Sequence, residues 1–229
     1  MKYEDIKAVH YSTLKNMDIS PKEYKHKLTA PRKATPAMLK GSAFHCALLE
    51  PHRYDPKDYK LKAADETDVR QMVAAVTDYT VSPDYLDTEV PFYWVDEKTG
   101  LDCKCKPDAV LNERGFDEFK SISSTHLDPD KFMKHYANMN YHAQAAFYHD
   151  GMVANGLDPM PHTCYAVVQT APHDVVDWEI PHCVIEEGRR LYRGWLDELV
   201  YCIKNDTWPG ITRGQKQTMI LPRWKRQEG

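Results

Sequence analysis

The chain has 229 residues, 42% of them hydrophobic and 28% charged, with a formal net charge of −4. That length suits one sizeable α/β domain with its own core, and the composition is that of an ordinary globular protein. No stretch approaches a membrane span and the first residues lack the basic-then-apolar layout of an export leader, so a cytoplasmic chain without a membrane partner is expected.

In chain order, Tyr11-Ser12-Thr13-Leu14 opens a short helix. Ser20-Pro21-Lys22-Glu23 is a helix start, with Ser at the cap, Pro in the first turn and Glu three residues on. Pro31 to Pro36 is a break. From Ala37 a helix carries Met38, Leu39, Ala43, Phe44, Ala47 and Leu48 until Pro51 ends it. His45 lies one turn after Gly41 on this helix, and the small residue is expected to leave room beside the imidazole. Residues 67–78 place Val69, Met72, Val73 and Val76 at helical spacing. Glu89 to Val95 reads as a strand closed by the turn Asp96-Glu97-Lys98-Thr99-Gly100. Leu101 to Lys106, Asp108 to Leu111 and Phe116 to Ile122 continue it as a three-strand meander, with Asn112-Glu113-Arg114-Gly115 as the last turn.

Asp128-Pro129 begins a helix and Asn140 caps another to about Ala154. On that second helix Tyr141, Gln144 and Tyr148 share one polar stripe. Strands follow at 163–170 and 175–180, then an amphipathic helix from about Val184 to Lys204. With no repeat, linker or low-complexity segment, the whole of 1–229 reads as one domain. It has an N-terminal helical arm (1–36), a central mixed sheet flanked by helices, and an irregular tail (205–229).

The net charge hides basic ends. Lys22, Lys25, Lys27, Arg32, Lys33 and Lys40 face one acid, Glu23, while 50–97 is acidic. The last stretch carries Arg189, Arg190, Arg193, Lys204, Arg213, Lys216, Arg223, Lys225 and Arg226. Such clusters can line a positive groove for a polyanion or form solvated helix faces. The six cysteines are scattered and read as reduced thiols. Cys103 and Cys105 are expected as two small residues on a buried strand face.

The chemistry concentrates around Lys106-Pro107-Asp108 and Asp117-Glu118-Phe119-Lys120. Side chains two apart on a strand share a face, so Glu118 and Lys120 stand together while Phe119 enters the core. Asp108 on the neighbouring arm can converge with them. Two carboxylates beside an amine suit a hard divalent cation and a water placed next to it.

These segments resemble a known family. Gly41-Ser42-Ala43-Phe44-His45 with Leu48-Leu49-Glu50-Pro51 is similar to the first motif of RecB-type nucleases in the PD-(D/E)xK superfamily. Cys103-Lys104-Cys105-Lys106-Pro107-Asp108, Asp117-Glu118-Phe119-Lys120-Ser121 and Tyr141-His142-Ala143-Gln144-Ala145-Ala146-Phe147-Tyr148 resemble the later motifs in order. The nearest likeness is to the nuclease domain of RecE, exonuclease VIII of prophage recombination, and extends to Trp208-Pro209 and Leu221-Pro222-Arg223-Trp224. Glu118 stands where RecE-like chains often carry Asp, and the segment from Tyr54 to Glu89 is shorter than in RecE. The long N-terminal extension of full-length RecE is not expected here.

The resemblance implies a PD-(D/E)xK fold and a Mg2+- or Mn2+-dependent 5′→3′ exonuclease. Such an enzyme acts on double-stranded DNA ends and leaves 3′ overhangs for phage or prophage single-strand annealing, in a bacterial host. It implies Asp108, Glu118, the main-chain carbonyl of Phe119 and His45 around the metal, with His45 a direct ligand or one shell behind. Lys120 orients the water or stabilises developing charge, in preference to acting as a base. Gln144, Tyr148 and Tyr141 contact the scissile or a neighbouring phosphate, as does Lys106. It further implies a homo-oligomeric ring (trimer or tetramer) and a RecT-type annealing partner. The alternatives are a RecB- or Cas4-like single-strand exonuclease or endonuclease, and a catalytically silent DNA-binding ring protein. The cysteine positions do not supply the four-cysteine cluster of the Cas4-like members.

Overall fold

The structure, a computed structural model, describes residues 3–31, 33–79, 85–111, 115–220 and 225. The expected turn at 112–114 and the motif at 221–224 lie outside them. Seven α-helices are described: α1 (Tyr11–Leu14), α2 (Pro21–Thr29), α3 (Pro36–Leu49), α4 (Ala63–Tyr79), α5 (Pro129–Asn138), α6 (Tyr141–Ala154) and α7 (His182–Asn205). The strands are β1 (Val9–His10), β2 (Tyr85–Thr88), β3 (Phe92–Val95), β4 (Asp102–Cys105), β5 (Ala109–Leu111), β6 (Phe116–Ile122), β7 (His162–Val168) and β8 (Val175–Glu179).

Three helices begin the same way, with an oxygen-bearing side chain followed by proline. Ser20 accepts from the Glu23 N–H at 3.1 Å, Thr35 from the Met38 N–H at 3.3 Å and Asp128 from the Lys131 N–H at 3.1 Å. The proline costs nothing there because its missing N–H would have had no helical acceptor. Asn140 precedes α6 but does not cap it with its side chain. Its φ is 55° and its amide donates to Asp18 at 3.1 Å instead.

The expected meander divides between two sheets. A five-stranded mixed sheet runs β2-β5-β6-β7-β8 and a three-stranded sheet runs β1-β4-β3. Among the described residues only β6 and β7 pair in parallel in the larger sheet, and α5 and α6 make the crossover between them. The chain passes from the larger sheet to the smaller at 89–91 and returns at 106–108. These two passages run side by side, with the Glu89 N–H donating to the Asp108 carbonyl at 3.0 Å. The single strand expected over Glu89–Val95 is broken there. Pro91 has no N–H for a ladder, and Glu89 adopts a left-handed φ of 55°.

Helices cover both faces of the larger sheet. On one, Phe44, Leu49, Met72 and Val76 of α3 and α4 pack on Ala109, Phe119 and Val167. On the other, α6 and α7 bring Ala143, Ala146, Phe147, Ile185 and Leu196 against Ile122, Cys164 and Ala166. The period of two along β6 and β7 divides these side chains between the faces. The N-terminal arm joins this second core through Tyr11, Leu14, Met17 and Tyr24. Trp208, at the start of the irregular tail, stacks on Tyr24 with ring centres 6.3 Å apart.

Two local expectations change. A Cβ on Gly41 would lie 2.8 Å from Ser121 Oγ, so the small residue lets α3 approach β6 and does not serve the His45 ring. Cys103 and Cys105 are buried as expected, yet Lys104 between them is buried too. The segment at 3–6 covers the other side of the small sheet, and Lys104 Nζ donates to the Tyr3 and Ile6 carbonyls at 2.6 and 2.8 Å.

Candidate active site

β5 pairs with β6 only as far as Ala109 opposite Asp117. Beyond that point the β5-facing edge of β6 has no strand partner among the described residues, and a carboxylate fills the gap. Asp108 Oδ2 accepts the Phe119 N–H at 2.7 Å, and Glu118 Oε1 lies 3.4 Å from the Asp108 N. The N–H and C=O of one strand residue point to the same side, so the Phe119 carbonyl faces this gap as well. Phe119 itself is 2% exposed and stacks on Tyr165 in the core, ring centres 5.3 Å apart.

The structure brings together most of the residues singled out from sequence. Lys120 Nζ donates to Glu118 Oε2 at 2.6 Å, and Gln144 Nε2 donates to the same oxygen at 3.1 Å. Lys120 also lies over the Tyr141 ring, 5.1 Å from its centre. His45 Nδ1 is 3.4 Å from Asp108 Oδ1. Tyr148 stands further along the α6 stripe, where it lines a cavity of about 340 Å³ with Tyr11 and Lys106. Lys106 is engaged in an ion pair with Glu89.

Glu89 was not anticipated from sequence. Its carboxylate, the Asp108 carboxylate and the His45 imidazole offer donor atoms that all lie within 4.8 Å of one another. Glu118 is outside this trio, turned toward Lys120 and Gln144. A signal for Glu89 existed in Glu89-Val90-Pro91, since a proline two residues on argues against a continuous strand.

The electrostatics are those of crowded negative charge. Burial pushes the Glu118 carboxyl up to about 7, with the Asp108 carboxylate adding to it against Lys120. Burial likewise raises Glu89, again helped by Asp108 and opposed by Lys106. Burial works against the charge on Asp108, but the adjacent imidazole, Lys120 and the Phe119 N–H outweigh it and hold that carboxyl low. His45 is raised because Asp108 overcomes its burial. Lys120 is raised well above its ordinary value, since Glu118 and Asp108 outweigh desolvation.

This cluster opens onto a groove of about 620 Å³ that His45, Glu89, Lys106, Lys120 and Arg53 help to line. The wider basic ends contribute less free charge than their count suggested. Lys40 pairs with Asp65 and Asp68, Arg189 with Asp150 and Glu186, Arg190 with Glu187, Arg193 with Asp96, and Arg213 with Glu198.

A model of a PDDEXK-like domain of unknown function (DUF3799) matches residues 10–217. The chain belongs to this family. Among solved structures, this PDDEXK-like chain superposes on one from Eubacterium rectale described as a "Putative exonuclease". The TM-score is 0.72 with 14% identity, over 97% of this chain and 96% of that one. At that identity the likeness is one of fold. A second structure, SSO0001, aligns at a TM-score of 0.35 and 14% identity over 85% of each chain, too weak a match to bear on the fold. No protein of curated function matches the sequence. Among the described residues no helix is long and apolar enough to cross a membrane.

The donor set of this PDDEXK-like site fits a hard divalent cation. The Asp108 and Glu89 carboxylates and the His45 imidazole converge, and the buried acids around them raise one another, a repulsion that a dication would relieve.

Proposed function

We propose that the chain is a divalent-metal-dependent nuclease acting on double-stranded DNA ends. In this reading it is a 5′→3′ exonuclease that leaves 3′ overhangs for single-strand annealing in a phage or prophage system. The carrying observation is the open edge of β6, where Asp108, Glu118 and Lys120 meet His45. Membership of a PDDEXK-like family supports it, and the exonuclease description of the fold neighbour agrees with it.

Asp108, His45, Glu89, Glu118 and the Phe119 carbonyl would hold Mg2+ or Mn2+, which supplies a Lewis acid for a phosphoryl oxygen and lowers the pKa of water. The protein groups do the rest. Glu118 and Asp108 hold the Lys120 pKa up, which favours a role as an ammonium over one as a base. The ammonium acts as a fixed positive charge beside the reacting phosphoryl group, where charge accumulates on oxygen in the transition state. Gln144 and Lys120 hold Glu118 Oε2 in one orientation, and the Tyr141 face steadies the ammonium. Tyr148 and Tyr141 line the path of the strand on the α6 side. A RecT-type annealing partner and a closed homo-oligomeric ring belong to the same reading, and a ring would confine positive charge to its channel.

The test is cleavage of 5′- and 3′-labelled linear duplex beside a closed circle, with Mg2+ and with chelator. Ion-dependent release of mononucleotides from 5′ ends of linear DNA alone is expected. Cutting of the circle, or preference for single strands, would instead indicate a RecB- or Cas4-like activity. No cleavage under any ion would leave a silent DNA-binding protein and overturn the nuclease reading.

A further inference from the structure

Lys106 was expected at a phosphate, and it sits on a carboxylate at the metal cluster. Its ammonium is paired with Glu89, one of three groups whose donor atoms lie within 4.8 Å of each other. An ammonium thus occupies one arm of the trio that could hold a metal ion. Glu89 has little freedom to turn away. Its backbone is in the left-handed region, its N–H is bonded to the Asp108 carbonyl at 3.0 Å, and its side chain is 16% exposed. Lys106 is more exposed, at 30%, and carries a long flexible stem. Of the two, the lysine is the partner able to leave.

A place for it exists. The Tyr3 ring lies 5.8 Å from Lys106 Nζ, and Lys106 lines the groove over the metal cluster as well as the cavity beyond it. Lysine leaving Glu89 thus has open space on two sides, within reach of a polyanion lying along the groove.

We infer that Lys106 is an internal counter-ion that the metal displaces from Glu89, and that its release delivers a positive charge to the DNA backbone next to the reacting site. The inference rests on the nuclease reading for the identity of the polyanion, but the exchange itself does not require cleavage. It couples two binding events: the ion strengthens the grip on DNA, and DNA favours the ion because it gives the released ammonium a partner.

The exchange predicts effects of opposite sign on one measurement. Mn2+ is titrated calorimetrically into DNA-free protein. Lys106→Met removes the competitor and should tighten Mn2+ binding by roughly threefold to tenfold, the scale of a partly exposed ion pair. Glu89→Gln should weaken it by about tenfold or more. Lys98→Met, which breaks a surface pair with Asp197 far along the chain, controls for net charge and should leave the affinity unchanged. A second readout uses the Lys120→Ala background and the salt dependence of duplex binding. There Lys106→Met should reduce the slope of log affinity against log salt by about 0.9 with Mg2+ present and leave it unchanged with chelator.

Equal or weaker Mn2+ binding by Lys106→Met, a gain no larger than that of Lys98→Met, no Mn2+ binding by the wild type, or the same slope change with and without Mg2+ would each overturn the exchange. Loss of the exchange with cleavage intact leaves the nuclease reading standing. Exchange without cleavage does the reverse.

Discussion

Two clusters of buried charge sit on either side of α6, and they are built to opposite rules. On the α7 side, Asp150 receives Arg189 Nε at 3.0 and 2.9 Å, Arg189 Nη2 at 2.6 Å, and the Tyr192 hydroxyl. Arg193 bridges from there to Asp96, whose carboxylate also accepts the Thr99 N–H and hydroxyl at 2.9 and 2.6 Å. Each acid is matched, and although burial opposes the charge, the hydrogen bonds hold Asp150 and Asp96 below the ordinary carboxylate range. On the strand side, Glu118 and Glu89 are pushed up instead. There Asp108 lies close enough to both to push each of them up, against the pull of Lys120 and Lys106. The first cluster is complete as it stands and serves to lock α6 to α7. In the second, buried acids raise one another, a strain that a bound dication would relieve, and that makes it the candidate site.

The contrast can be broken in four ways. The largest effects belong to the strand side: Lys120→Ala and Asp108→Ala should each lower cleavage by at least about a thousandfold, as loss of charge stabilisation at a reacting group does. Both should keep a cooperative thermal transition, and normal rates in either purified variant would remove the assignment. Asp150→Ala should do the converse. It removes the acceptor shared by Arg189 and Tyr192, leaving Arg189 paired with Glu186, and should cost about 3 kcal/mol of stability by denaturant titration, while cleavage per folded molecule stays near wild type at low temperature. Gln144→Ala removes one hydrogen bond to a charged oxygen, about 1.5–3 kcal/mol, so cleavage should fall roughly tenfold to a hundredfold.

The smallest effect is in pH. Glu118 takes up a proton on folding because its folded value, about 7, lies above the ordinary glutamate value. Its contribution to stability is therefore present in acid and is lost as pH rises through about 7. Glu118→Gln should flatten that part of the metal-free stability profile between pH 5 and 8. Asp150→Asn should leave it in place, and an unchanged slope in the Glu118 variant would contradict the reading of its surroundings.

Much of this was legible in the sequence, and the misses have physical causes. Period two put Glu118 and Lys120 on one face with Phe119 in the core, and period 3.6 put Tyr141, Gln144 and Tyr148 on one stripe. The cap-and-proline starts at Ser20 and Asp128 are local chemistry, so they survive folding unchanged. What failed was non-local. The meander looked continuous because each strand was read from its own residues, whereas the division into two sheets depends on the passages at 89–91 and 106–108. Glu89 enters the site through that division, so a linear reading as a strand residue hid it. That Lys106, read beside a phosphate, also meets the Glu89 carboxylate is visible only in the folded chain. The basic ends were overcounted for the same reason: charge on a helix face is visible in sequence, but Asp150 and Asp96 lie about 40 and 100 residues from their arginines.

The most direct test is anomalous scattering from crystals soaked in Mn2+. The account predicts a peak enclosed by the Asp108 and Glu89 carboxylates, the His45 imidazole and the Phe119 carbonyl, with Glu118 beside it and Lys106 moved off Glu89. A peak at the Asp150–Arg189 network, or density showing those strand-side groups without any bound ion at saturating Mn2+, would contradict it.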